Sequence, residues 1–131
     1  MINAEADVFD YVYPSVAALV PEGCFKNEYV PEIAKLPFAS LMEIDNQTDT
    51  WHQSSADDEE FAVVTYEANT FGATKEECRN VMNALDESIV RLGFTRLSMQ
   101  YIPNLADRTL HRMVARYRAT IGADLVVYRR R

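Results

Sequence analysis

Between Thr74 and Gly93 the chain carries the only stretch in which a helix start, a helical apolar stripe and a helix stop coincide, so the rest of the sequence must be placed against it. Thr74-Lys75-Glu76-Glu77 reads as a capping box, with the Thr74 hydroxyl accepting from the Glu77 N–H and the Glu77 carboxylate reaching back. Cys78, Val81, Met82, Leu85, Ile89 and Leu92 then recur at spacings of three and four, which puts them on one buried stripe. Arg79, Asn83, Glu87 and Arg91 face outward, and Gly93 supplies the left-handed position that ends the helix. Directly afterwards the period changes from 3.6 to 2, as for a helix running into a strand that it covers.

Three segments share that period of two. Phe61 to Asn69 separates Ala62, Val64, Tyr66 and Ala68 from Thr65, Glu67 and Asn69. Thr95 to Ile102 separates Leu97, Met99 and Tyr101 from Arg96, Ser98 and Gln100. Leu110 to Thr120 separates His111, Met113, Ala115, Tyr117 and Ala119 from Arg112, Arg116 and Arg118. One face of each suits the helix stripe and the other is mostly polar, the pattern of an antiparallel sheet with helices on one side. Earlier, Val8, Phe9, Val12, Val16 and Leu19 fit a helix from Ala4 to Leu19. Pro14 removes an interior hydrogen bond, so that helix is expected to kink or to end near Tyr13. Cys24 to Val30 and Phe38 to Ile44 read as strands, with Pro31 and Pro37 between them. Asp45 to Glu60 has no periodicity and reads as a long loop. Pro103 to Asp107 is a turn, and Leu125 to Tyr128 adds a last short strand. The expected fold class is therefore α+β, a mostly antiparallel β-sheet with helices packed on one face, in one domain over residues 1–131.

Composition narrows the function. With 131 residues, 48% hydrophobic and 25% charged, the chain has the make-up of a globular domain. No run approaches the ~20 apolar residues that span a bilayer, and the N-terminus lacks the positive flank of a signal peptide, so cytoplasmic synthesis and no membrane partner are expected. Cys24 and Cys78 are too few and too far apart for a metal cluster and are expected to be reduced and structural. The net charge of −7 conceals a division: residues 1–90 hold 18 acidic and 4 basic side chains, residues 91–131 hold 2 and 9. Either the two sets neutralise each other within one small fold, or they lie on different faces and meet on neighbouring subunits. Overall acidity argues against a free nucleic-acid binder.

Reaction machinery is sparse. The sequence holds no Gly-rich phosphate loop, nucleophile elbow, HExxH or paired CxxC. His111 is expected as a hydrogen-bonded core histidine rather than a general base. Asp57-Asp58-Glu59-Glu60 lacks the spaced oxygens and the glycine of a Ca²⁺ loop. Trp51, the only tryptophan, either folds over its own core or anchors into a partner. A pocket formed by Trp51, His52 and His111 is the small-enzyme or binding-module alternative. Otherwise neither catalytic residue, metal nor cofactor is expected, and function is expected to rest on shape and surface.

Two ordered sets of residues add a resemblance. Tyr29-Val30-Pro31, Leu36-Pro37-Phe38-Ala39-Ser40, Asp45-Asn46 and Tyr66-Glu67-Ala68-Asn69-Thr70-Phe71 form the first. Leu92-Gly93-Phe94-Thr95-Arg96, Ile102-Pro103-Asn104, Thr109 to Arg118 and Val127-Tyr128-Arg129-Arg130 form the second. Together, over roughly residues 25–130, the chain resembles the tail terminator or tail-completion proteins, also labelled minor capsid proteins, of long-tailed phages. That resemblance implies a virion protein assembled as a homo-oligomeric, hexameric ring at the tail–neck junction. Such a ring caps the tail tube protein, ends its polymerisation and offers a docking surface to the head–tail connector or neck protein. A head-side neck adaptor, or head-completion protein, is the alternative. The Asp45 to Glu60 loop departs most from the family.

Arg112, Arg116 and Arg118 point the same way along one strand, so like charges crowd one face. Glu67 can answer one of them. A head-to-tail ring would let this face meet acidic residues of the next subunit, with Asp57, Asp58, Glu59, Glu60 and Trp51 as the further interface candidates. The competing uses are a solvated face and a lumen wall past which DNA runs without sequence preference.

Overall fold

A computed structural model describes residues 2–28, 35–48, 61–103, 110–122 and 127–128. Its elements in chain order are α1 (Glu5–Ala17), β1 (Phe25–Lys26), β2 (Phe38–Thr48), β3 (Phe61–Gly72), α2 (Lys75–Leu92), β4 (Thr95–Ile102), β5 (His111–Gly122) and β6 (Val127–Tyr128). The strands form one sheet in the order β1-β2-β3-β5-β4, with β6 joined to the end of β5. Every pairing is antiparallel except β1 with β2. Both helices pack on one face, the α+β arrangement that the periodicities imply.

The central helix starts and stops where its sequence directs. The Thr74 hydroxyl accepts from the Glu77 N–H at 3.0 Å, while the Glu77 carboxylate accepts from the N–H of Ala73 rather than that of Thr74 itself. At the other end Gly93 takes φ 126°, which a side chain would strain. Its N–H bonds Val90 O and the next N–H, of Phe94, bonds Ile89 O, the paired bonds of a Schellman stop. The buried Phe94 ring then meets Tyr66 edge-on at 5.2 Å. Cys78, Val81, Met82, Leu85 and Ile89 are all buried, with Ser88 beside them, and Leu92 is half-buried. Gly72, at the end of β3, is needed for close approach: a Cβ there would lie 2.8 Å from the Cys78 backbone nitrogen.

The core lies between this stripe, the α1 residues Val8, Val12 and Val16, and the inner sheet face. That face carries Ala39 and Leu41 from β2, Ala62 to Thr70 in alternation from β3, and Met113 to Ile121 in alternation from β5. Cys24 and Cys78 are both free and buried; burial pushes the Cys78 thiol above its ordinary value.

Four expectations change. First, of the two outcomes expected at Pro14, the helix does not end near Tyr13: α1 continues through Pro14 to Ala17. Pro14 lies on the exposed side, where water can serve the carbonyl it leaves unbonded, while Val12 and Val16 hold the buried side. Leu19, expected on the apolar stripe, is exposed. Second, β2 continues through Asp45 to Thr48, so the expected loop begins later than Asp45. Third, Glu43 keeps the inward parity of Ala39 and Leu41 opposite Tyr66, and the register shift between Glu43 and Asp45 leaves Ile44 exposed. Fourth, a matching shift between Arg96 and Ser98 puts Arg96 opposite the inward-facing Tyr117 and exposes Leu97, which the alternation had assigned to the core. β1 is also shorter than expected within the described residues.

Candidate functional site

The helices leave the other face of the sheet uncovered. Strand register places Arg112, Val114, Arg116 and Arg118 of β5 on it, flanked by Phe71, Asn69, Glu67 and Thr65 of β3 and by Ile102, Gln100, Ser98 and Thr95 of β4. The three arginines therefore share one face, as their spacing requires.

Their charges are partly answered inside the sheet. Arg112 donates to Asn69 Oδ1 from Nε at 3.1 Å and from a terminal nitrogen at 2.7 Å, and its guanidinium lies 5.7 Å from the centre of the Phe71 ring. Asn69 donates in turn to Glu67 Oε1 at 3.1 Å. Arg116 sits directly opposite Glu67 and bonds its other carboxylate oxygen at 3.2 and 3.3 Å. The result is a ladder, Arg112 to Asn69 to Glu67 to Arg116, that fixes two guanidinium groups in an extended row. Arg118 is exposed and makes no ion pair with the described residues. One carboxylate thus answers three cations, and the row keeps surplus positive charge.

Between these side chains lies an open concavity of about 370 Å³ lined by Glu67, Ser98, Gln100, Ile102, Arg112, Val114 and Arg116. Its floor is aliphatic and its walls are charged or amide-bearing. The face is accordingly less polar than the sequence reading had it. Val63, Phe71, Ile102 and Val114 are all half-buried residues on this side. They interleave with the arginines at the same period of two, and that alternation within the polar set is the signal that could have found them. A mixed face with an apolar floor and fixed cations suits contact with another protein surface better than small-molecule chemistry.

The helical side has the opposite character. Glu5, Asp7 and Asp10 lie on α1, which has no basic residue. On α2, Glu76, Glu77, Asp86 and Glu87 stand against Lys75, Arg79 and Arg91. Asp86 is committed inward: its Oδ1 accepts from the buried Tyr117 hydroxyl at 2.8 Å and from Arg96 at 3.2 Å. Burial first, and then this bond, raise the Tyr117 phenol above its ordinary value.

Of the candidates read from sequence, Arg112, Arg116 and Arg118 come together on the open face. Trp51, His52, Asp57, Asp58, Glu59 and Glu60 lie outside the described residues. His111 is half-buried and its Nδ1 bonds the Tyr101 hydroxyl at 2.6 Å, which makes it a structural hydrogen-bonding partner under the edge of the sheet. Among the described residues no group of three or more acidic, histidine or cysteine side chains could hold a metal ion. Among the same residues no helix is long and apolar enough to cross a membrane.

The described residues thus form an α+β fold with two helices on one face of the sheet. It is shared with a chain of a solved structure, the virion of a native gene transfer agent (GTA) particle, at a TM-score of 0.60 and 16% identity over 86% of this chain and 92% of that one. No protein-family model and no curated protein matches the sequence.

Proposed function

We propose that this chain is a structural virion protein, a one-domain subunit of a tail terminator ring at the head-proximal end of a phage-type tail tube. The observation that carries the reading is the fold itself, shared over 92% of a chain from a gene transfer agent virion. The ordered sequence resemblance to tail terminators supports the finer placement. On this reading the ring, a hexamer by that resemblance, ends tube polymerisation and presents a surface to the neck, with DNA passing through its lumen. Its partners are other copies of itself, the tail tube protein and the head–tail connector, and it carries out no catalysis.

The open face supports assembly on physical grounds. A half-apolar sheet surface that fixes cations and that none of the described elements covers leaves stabilisation unused in the isolated subunit. In a head-to-tail ring every such face is covered by a different surface of the next subunit, including the acidic Asp57 to Glu60 run and Trp51.

Charge reversal tests this. An Arg112→Glu, Arg116→Glu double variant is expected to keep the helix and sheet signals of the wild type in circular dichroism yet to assemble poorly, as measured by light scattering of the purified protein. Raising salt should weaken the wild-type assembly in the same direction, because exposed charges are screened beyond ~8–10 Å at physiological ionic strength and closer at higher salt. A double variant that assembles normally, with no salt dependence, would show that this face does not hold subunits together.

A further inference from the structure

We infer that the outward stripe of α1 is the surface that covers the arginine face of the next copy. The inference rests on the assembly reading above and deepens it by naming both sides of the contact.

The stripe is defined by spacing and exposure. Asp7, Asp10, Tyr11 and Pro14 are exposed and fall three or four residues apart around the same side of the helix, opposite the buried Val8, Val12 and Val16. Nothing on α1 offsets its acids, because residues 5–17 include no lysine or arginine. Tyr11 is 43% exposed, a large ring carried outward one position and one turn beyond two aspartates. Tyr13, equally exposed, already stacks on Phe25 with ring centres 5.9 Å apart, so it belongs to the subunit's own packing.

The opposite surface is its chemical complement. The concavity on the sheet has an aliphatic floor, Ile102 and Val114, between the guanidinium groups of Arg112 and Arg116. A tyrosine ring suits such a site: its apolar body covers the floor, its hydroxyl stays at the rim and arginine planes stack against it. Asp7 and Asp10 then supply carboxylates to Arg118, which has no ion pair among the described residues, and to the outer side of Arg116. The stripe runs ~10 Å along α1 from Asp7 to Pro14, which long arginine side chains can meet from one half of the ~20 Å row between Arg112 and Arg118.

The two surfaces cannot meet within one subunit, because α1 lies on the side of the sheet away from the arginines. The contact is therefore between copies and heterologous, so repeating it builds a ring or a filament rather than a two-fold dimer.

Disulfide trapping tests this geometry. The native cysteines are buried, so a Tyr11→Cys protein and a Val114→Cys protein each present one new accessible thiol. Mixed and mildly oxidised, the two are expected to form a crosslinked heterodimer, while each variant alone stays uncrosslinked. An Asp7→Arg, Asp10→Arg double variant should need roughly tenfold more protein for half-assembly, the loss expected from a few exposed ion pairs. Assembly that proceeds without the mixed disulfide, or that traps Val114→Cys with itself, would overturn the α1 contact and leave the ring reading standing. A wild-type protein that stays monomeric at every concentration and salt would overturn both.

Discussion

Glu43 shows how a strand's plain alternation can carry a carboxyl inward. It follows Ala39 and Leu41 onto the inner face opposite Tyr66, just ahead of the register shift at Ile44, and its own N–H donates to Glu5 Oε2 at 2.7 Å. Oε1 of Glu43 and the Tyr66 hydroxyl are buried without a hydrogen-bond partner in this structure. Burial first, with repulsion from Glu5 and Asp45 adding to it and the Asn46 amide opposing, raises the Glu43 carboxyl above its ordinary value of 4.5. The folded state therefore holds this proton more tightly than the unfolded chain. Its contribution to stability is complete below pH 4.5 and is lost as pH rises through the raised value. Glu43→Gln, which stays neutral, should melt at a higher temperature than wild type at neutral pH, and the gap should close on acidification. Thermal melts across that range check the sign; a variant less stable than wild type at neutral pH would refute it. None of this was legible in the sequence, where the Phe38 to Ile44 strand carries apolar residues on both faces and so marks neither as inward. Thr74 and Gly93 were legible, because caps act through their own backbone and nearest neighbours.

At the scale of elements the same contrast holds. The Leu85 stripe was readable because a helix with agreeing caps leaves one rotational solution, and every residue assigned to it is buried or half-buried. Strand faces were readable in β3 and β5, whose registers run unbroken from end to end. They failed in β4 for a definite reason: a bulge shifts parity by one, so Leu97 left the core and Arg96 took the inward position, where Asp86 receives it. In α1 only the alternative of a helix ending near Tyr13 failed, since a proline on an exposed helix side costs less than its rule for helix interiors suggests. Paired substitutions test the β4 correction. Leu85→Ala should cost ~2–5 kcal/mol in chemical denaturation, as large-to-small changes in a sealed core do. Leu97→Ala should cost ~0.5 kcal/mol or less, the usual range for an exposed site away from such features. A loss at Leu97 as large as that at Leu85 would mean that the alternating assignment was right.

At the scale of the whole molecule, the described sheet separates two charge groups: Arg112, Arg116 and Arg118 stand on the face away from the helices and the acidic α1 on the other. The sequence showed two charge populations but not their placement, because a strand's face is fixed only once its neighbours and its bulges are known. The arginine row of the candidate site was legible from a spacing of two. Its apolar companions Ile102 and Val114 were missed because the alternation was read from the arginines and polar residues alone, which left both unassigned to a face. The central claim is that this protein closes a tail. Electron microscopy of tails assembled with and without it measures that directly. The account predicts overlong tails that do not join heads when the protein is missing, and uniform, joined tails when it is restored. Tails of normal length that still join heads in its absence would contradict it.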